Sequence, residues 1–342
     1  MARKTALVVA PGRGTYNKTE LGYLHNFHGA RATLIGDFDA ERAAKGQETI
    51  SALDGAERYS AAKLTRGDNA SGLIYACAYA DFLTIDHGAF DIVAVTGNSM
   101  GWYTALACAG ALTPQDGFTV VNTMGTLMQE ALIGGQTLYP FVDDEWQEIP
   151  NKRAELLSLI DAIPGLYLSI DLGGMIVFGG DNESLKEAER RLAPVGSRFP
   201  LRLTNHAAFH THLQEPVSRR GKAALPASLF AQPERPLIDG RGTIWFPKSS
   251  DLAALWDYTL GHQVTEPYGF TAAITTGIRE FAPDVIIILG PGTTLGGAVA
   301  QTLIARGWRG LTSKSGFMMR QASDPLVLSL GIAEQRAVAV HG

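Results

Sequence analysis

The sequence predicts an α/β fold built on a parallel sheet, and three observations carry that expectation. Short, continuous apolar runs end in glycine-rich turns, and segments with helical caps and periodicity fill the spaces between them. Glycine accounts for 38 of the 342 residues, about one in nine against an average of roughly 7%. Apolar runs without alternation suit strands buried on both faces, and glycine at their C-terminal ends marks sharp turns into helices, where α/β sheets bind ligands.

Taken in order, the first such run is Ala6–Ala10, followed by Pro11-Gly12-Arg13-Gly14. The second is Ile92–Val95, followed by Gly97-Asn98-Ser99-Met100-Gly101, and a helix is expected after Ser99 with Gly110 as its cap. Thr113-Pro114-Gln115-Asp116 joins an N-cap, a proline at the first helical position and an acid three residues after the cap, which predicts a helix to about Gln129. Ser250–Leu260 reads as a helix closed by Gly261, and Tyr268–Phe281 as another. Val285–Leu289 is a third buried-type strand, ending at Gly290-Pro291-Gly292.

Residues 133–205 read differently. Met175–Phe178 is a strand, Asn182 a helix cap, Leu185, Ala188 and Leu192 share one helical face, and Leu201–Leu203 is a further strand. This predicts a small strand-helix-strand unit inserted in a larger domain formed by residues 1–132 and 206–342.

Composition excludes several classes. With 46% hydrophobic and only 18% charged residues the chain is not of disordered type, and no apolar run nears the roughly 18 residues of a membrane span. The formal net charge of −5, without a long basic run, argues against nucleic acid as a partner. The N-terminal apolar run is too short for a secretory signal. Cys77 and Cys108 lie in Ala- and Leu-rich segments away from any metal spacing, as expected of reduced core thiols in a cytoplasmic protein.

Gly97-Asn98-Ser99-Met100-Gly101 fits the G-x-S-x-G nucleophile elbow. Such a turn lifts the serine oxygen out of the sheet, and the following helix aims its free N–H groups at an oxyanion. The pattern by itself is short, so the residues leave two readings open, a nucleophile or a structural turn. A serine needs a base, and among the eight histidines three cluster as His206, His210 and His212. Histidines at this spacing can also bind zinc, but no H-E-x-x-H pattern or adjacent carboxylate completes a metal site.

Four blocks then carry a family resemblance. Gly97-Asn98-Ser99-Met100-Gly101-Trp102-Tyr103-Thr104-Ala105-Leu106 with Ala109-Gly110-Ala111-Leu112 resembles the G-H-S-x-G-E-Y-x-A-L and A-G-A-L block of malonyl-CoA:acyl carrier protein transacylases and polyketide synthase acyltransferases. Ala207-Ala208-Phe209-His210 resembles that family's A-F-H-S-x-L block, Pro11-Gly12-Arg13-Gly14 its P-G-Q-G, and Leu289-Gly290-Pro291-Gly292 its V-G-P-G. The blocks occur in the family's order.

The resemblance implies an α/β-hydrolase-like large domain with a parallel sheet and an inserted ferredoxin-like α+β domain. It implies Ser99 as the nucleophile that takes an acyl group from coenzyme A, and His210 as general base and later acid. The backbone N–H groups of Met100 and Arg13 would form the oxyanion hole, and a backbone carbonyl at Gln263 would orient the histidine. The acyl group would pass to the phosphopantetheine thiol of an acyl carrier protein. The implied reaction needs acyl-CoA as substrate and no bound cofactor or metal. The oligomeric state is not fixed, and a monomer is compatible with the sequence.

Departures from the family pattern bear on the acyl group. Met124 stands where the family's R-G-x-x-M-Q block has the arginine that holds the malonyl carboxylate, which implies a neutral donor such as acetyl. Phe209 instead matches the malonyl-type signature, and Arg13, in place of glutamine at the mouth of the same pocket, is a candidate for supplying the missing charge. Asn98 and Trp102 replace the usual histidine and glutamate beside the serine, with Trp102 expected to add apolar bulk to the pocket. Two other functions compete: a thioesterase-like hydrolase acting on carrier-bound acyl groups, and a non-catalytic partner that docks a carrier protein. An unrelated esterase of hydrolase type needs a late histidine, and only His341 lies late. Arg219, Arg220 and Lys222 are the candidate basic patch for an acidic carrier protein.

Overall fold

The computed structural model describes residues 3–340, so His341 lies outside the described residues. Among the described residues, eleven strands form two sheets: β1 (Lys4–Ala10), β2 (Phe90–Gly97), β3 (Gly135–Pro140), β4 (Leu166–Leu172), β5 (Met175–Gly180), β6 (Leu201–Arg202), β7 (Leu237–Ile238), β8 (Ile244–Trp245), β9 (Tyr268–Gly269), β10 (Val285–Ile288) and β11 (Val327–Ser329). The larger sheet has the order β11-β10-β1-β2-β7-β8, and every neighbouring pair is parallel except the terminal β7–β8 hairpin. Its three longest buried runs are those the apolar patterning predicts. Ala6–Ala10 and Val285–Leu289 are almost completely buried, as strands covered by helices on both faces must be.

The smaller sheet has the order β6-β3-β5-β4-β9. With helices Lys152–Ala162 and Asn182–Arg191, residues 135–202 run strand, helix, strand, strand, helix, strand. They enclose a separate small core that includes Tyr139, Phe141, Leu156, Phe178, Leu185 and Leu192. β9 comes from outside this segment and pairs in parallel with β4, Ile170 opposite Tyr268, so the two sheets are linked through main chain.

Three local expectations are corrected. Asp181, not Asn182, caps the helix, its carboxylate accepting from the Ser184 N–H at 2.8 Å, because a carboxylate one residue earlier reaches the free amide. Tyr268 and Gly269 form β9, and the helix starts at Phe270, because these two residues pair with β4. The helix expected over Ser250–Leu260 starts at Leu252 behind Asp251 and is not closed by Gly261. It widens into a π-helical turn over Tyr258–His262 and continues through Gln263–Thr265. Gly261 keeps a negative φ and so provides no left-handed stop. The helices Gly101–Cys108 and Pro114–Ala131 form as expected, the latter with the Thr113 hydroxyl accepting from the Asp116 N–H and the former ending before Gly110 at φ +78°.

Candidate active site

The elbow forms where β2 meets the helix Gly101–Cys108, and its geometry explains its glycines. Ser99 is held at φ +54°, a left-handed conformation that non-glycine residues seldom adopt. A Cβ on Gly97 would lie 2.2 Å from the Gly101 carbonyl oxygen, and one on Gly101 would lie 2.3 Å from that of Ala10. Only glycine lets β1, β2 and the helix approach this closely, and the approach pushes the serine side chain outward.

His210 reaches the serine from a sequence distance of 111 residues. Ser99 Oγ lies 2.7 Å from His210 Nε2, and His210 Nδ1 lies 2.6 Å from the main-chain oxygen of Gln263. A carbonyl can only accept, so Nδ1 carries the proton and the Nε2 lone pair faces the serine hydroxyl, which donates to it. Burial lowers the His210 pKa to about 4, the Gln263 carbonyl partly opposing that shift, and His262 adds a smaller lowering. The imidazole is therefore neutral near pH 7 and able to accept a proton. His210 is itself at φ +57° and is pinned by its N–H to the Val264 oxygen at 3.1 Å.

Gln263 does more than the sequence suggests. Its side-chain Nε2 donates to the Ser99 carbonyl at 3.0 Å, and its Oε1 accepts from the Tyr103 hydroxyl at 3.1 Å. One residue thus holds both members of the pair, and it sits directly after the π-helical turn, a distortion that often marks functional positions. No sequence pattern announces these side-chain contacts. Tyr268, whose ring leans on His210 and whose hydroxyl donates to the Gly97 carbonyl at 2.6 Å, is likewise invisible in the motif.

The main-chain N–H groups of Met100 and Arg13 donate to no protein acceptor among the described residues. Both residues line, with Ser99, His210, Phe209 and Met128, a cavity of about 20 Å³ beside the serine. Arg13 and Asn98 also line a cleft of about 510 Å³ between the two sheet units, together with Leu138, Trp146, His206 and Lys314. Asn98 Oδ1 is buried and has no hydrogen-bond partner among the described residues.

Two expected pocket residues lie elsewhere. Met124 is fully buried, but its sulfur packs over Gly221 of the helix Glu215–Ala224, and the helix Pro114–Ala131 meets the cavity through Gly125 and Met128 instead. Trp102 is also fully buried. Its indole N–H donates to Thr259 Oγ1 at 3.0 Å and its ring meets Tyr258 edge-on, so it braces the π-helical turn rather than lining a channel. In both cases the helix turns the neighbouring position toward the site. Phe209 does line the cavity, with the Arg13 guanidinium 5.4 Å above its ring.

The histidine cluster separates into three environments. His206 Nδ1 meets Gln136 Oε1 at 2.7 Å, His210 pairs with Ser99, and His212 packs edge-on against Tyr167. Burial first, then the Arg13 charge, holds the His206 pKa well below the usual imidazole value. The candidate docking cations are each engaged locally, Arg219 with Glu215, Arg220 with Glu130 and Lys222 with Asp257. Cys77 and Cys108 are buried, unpaired thiols, and no helix is long and apolar enough to cross a membrane among the described residues.

No family model matches the sequence. Among curated proteins it is 25% identical over 207 residues to the malonyl CoA-acyl carrier protein transacylase of Bacillus subtilis, a match covering 59% of this chain and 62% of that protein. The chain therefore spans somewhat under two thirds of the curated relative it matches. Among solved structures, the malonyl-CoA:acyl carrier protein transacylase of Xanthomonas oryzae superposes over the full length of both chains, with a TM-score of 0.76 at 20% identity. A malonyl-transacylase in complex with its type II polyketide synthase acyl-carrier protein superposes with a TM-score of 0.73 at 19% identity, covering 98% of this chain and 99% of that one. The mixed α/β fold with its parallel sheet is the fold of these transacylases.

Proposed function

We propose that the protein is an acyltransferase that moves an acyl group from acyl-CoA to the phosphopantetheine thiol of an acyl carrier protein through an acyl-Ser99 intermediate. The observation that carries this reading is the Ser99–His210–Gln263 chain, with Oγ to Nε2 at 2.7 Å and Nδ1 to the Gln263 oxygen at 2.6 Å. Its support from relatives is that similar proteins are named as transacylases acting with malonyl-CoA and acyl carrier protein. One was solved with its carrier protein bound.

In the first half-reaction Ser99 Oγ attacks the thioester carbonyl while its proton passes to His210 Nε2. The tetrahedral oxyanion is held by the free N–H groups of Met100 and Arg13. Collapse breaks the C–S bond, and His210 returns the proton to the departing CoA sulfur. In the second half the carrier thiol gives its proton to His210 and its sulfur attacks the acyl-serine. Ser99 Oγ leaves and recovers the proton. The histidine is oriented by a carbonyl rather than a carboxylate, which fixes the tautomer without adding a buried charge. The cleft of about 510 Å³ leads past Arg13 and Asn98 and suits a pantetheine arm.

The small-sheet segment, residues 133–205, has the strand order and βαββαβ succession of a ferredoxin-like unit. With residues 1–132 and 206–342 as an α/β-hydrolase-like body, it supports the two-part organisation implied by the resemblance. Acyl-CoA as donor and two reduced buried thiols fit a cytoplasmic setting.

Intact-mass measurement after mixing with a panel of acyl-CoAs tests the reading. Expected is an adduct of acyl mass that is absent in Ser99→Ala and discharges when a phosphopantetheinylated carrier protein is added. Rapid CoA release without carrier would identify a hydrolase, and neither adduct nor release would leave a docking role.

A further inference from the structure

We propose that the open pocket between the helices Tyr23–His28, Ala32–Ala44 and Ile50–Asp54 is a binding site for a small alkylammonium ion. It shares no residue with the serine cavity or with the cleft. The pocket has a volume of about 800 Å³, and no lysine or arginine among the described residues lines it. Leu24 and Ile35 give it an apolar wall, and Asp39 and Asp54 give it two carboxylates. Asp54 is buried and accepts from the Tyr16 hydroxyl at 2.7 Å and the His25 N–H at 3.2 Å. Asp39 is half-buried and accepts from the Ser51 N–H at 3.1 Å. Neither carboxylate forms an ion pair among the described residues. A carboxylate enclosed by protein without a counter-cation is unfavourable unless a cation completes it.

Two residues beside the carboxylates point to the same ligand chemistry. His28 is buried and lines the pocket from the helix face that it shares with Leu24, four residues earlier. Its Nε2 lies 2.8 Å from Asp81 Oδ1, and a carboxylate can only accept, so Nε2 carries the proton. Asp81 is itself fixed, because it also accepts from the Tyr23 hydroxyl at 2.8 Å, the Gly290 N–H at 2.7 Å and Arg336 Nη1 at 2.7 Å. Arg336 supplies the charge opposite Asp81. Nδ1 of the neutral ring is then a lone pair, and it has no hydrogen-bond partner among the described residues. Gly36 lies inside the helix Ala32–Ala44, where glycine is unfavourable against alanine. A Cβ there would meet nothing within 4 Å, and no left-handed φ calls for glycine. Its effect is to leave the pocket open. An alkylammonium fits this set: its head has three donors and no acceptor, against two carboxylates and the Nδ1 lone pair, and its chain lies on Leu24 and Ile35.

Calorimetric titration of the full chain with n-pentylammonium and with n-pentanol, which has the same chain and no charge, tests the site. The amine should bind at least about tenfold more tightly than the alcohol. Asp39→Asn, which removes a carboxylate that is only half-buried and so spares the fold, should weaken the amine by about threefold or more. Gly36→Leu should abolish binding without lowering Tm, because leucine fills the open space and favours the helix. The imidazole nitrogen resonance of His28 Nδ1 should move with the amine and not with the alcohol. A lysine side chain carries the same head, so the Nα-acetyl methylamide of lysine is titrated alongside. Binding of both compounds assigns the site to a protein lysine, and binding of pentylammonium alone assigns it to a free amine. Equal affinity for the alcohol overturns the proposal, as does an affinity for the amine that is unchanged in either variant, or no binding of pentylammonium at all.

Discussion

Gln263 grips both Ser99 and His210, its main-chain oxygen accepting from His210 Nδ1 at 2.6 Å while its side-chain amide donates to the Ser99 carbonyl at 3.0 Å. The main-chain contact survives substitution and the side-chain contacts do not, so the two can be separated. Gln263→Ala strands the buried Tyr103 hydroxyl, and stability should fall by about 1–3 kcal/mol. Ser99 loses one restraint, and kcat should fall about tenfold with little change in KM. Denaturant melts and steady-state kinetics on one preparation check both figures.

His210→Gln removes the proposed proton acceptor and leaves the main-chain N–H groups of Met100 and Arg13 in place. Loading of Ser99 should slow by about 10²–10⁴-fold without loss of acyl-CoA binding. Single-turnover kinetics with an independent titration of acyl-CoA binding decide it. A variant that loads at the wild-type rate contradicts His210 as the base.

The depressed His210 pKa sets two pH dependences. If His210 is the base, it should stay neutral until about pH 4, so the acid limb of kcat/KM should lie well below the pH of 6.5 expected of an ordinary imidazole. For stability the sign is acid-destabilising. The unfolded chain takes up the proton near pH 6.5 and the folded one only near 4, so stability is fully present above 6.5 and declines as pH falls toward 4. That interval corresponds to about 3 kcal/mol for this group. Melts between pH 7.5 and 4.5, compared with those of His210→Gln, isolate the contribution.

Gly101→Ala should not fold normally. The new methyl would sit 2.3 Å from the Ala10 oxygen and 2.8 Å from that of Pro11, and main chain cannot yield as a flexible side chain can. A loss of at least about 3 kcal/mol is expected, visible as a lowered Tm or as insoluble expression. Gly296→Ala, where a methyl meets open space, serves as the matched control.

Tyr268→Phe removes the hydroxyl bond to the Gly97 carbonyl at 2.6 Å but keeps the ring against His210. A stability loss of about 1–3 kcal/mol is expected from the unpaired carbonyl, read by equilibrium unfolding.

The sequence by itself determined the sheet and the elbow, and only with the family resemblance did it single out Ser99 and His210 as the candidate pair. Buried strands need unbroken apolar runs such as Ala6–Ala10, and the elbow needs glycine on both sides of the serine, so each leaves a local and readable trace. Helix ends with their own caps, as at Thr113, were equally legible, whereas Asp181 and Asn182 differ by one residue and only the hydrogen bond distinguishes them. Tertiary structure decided everything that depends on the direction of a side chain or on partners far apart in the chain. Met124 and Trp102 occupy the motif positions expected of pocket residues, yet helix packing turns one toward Gly221 and the other toward Thr259. The π-helical turn that delivers Gln263 and the strand pairing that brings Tyr268 beneath the elbow arise from long-range contacts. A linear pattern records which residues are present, and only folding fixes which of them face the serine.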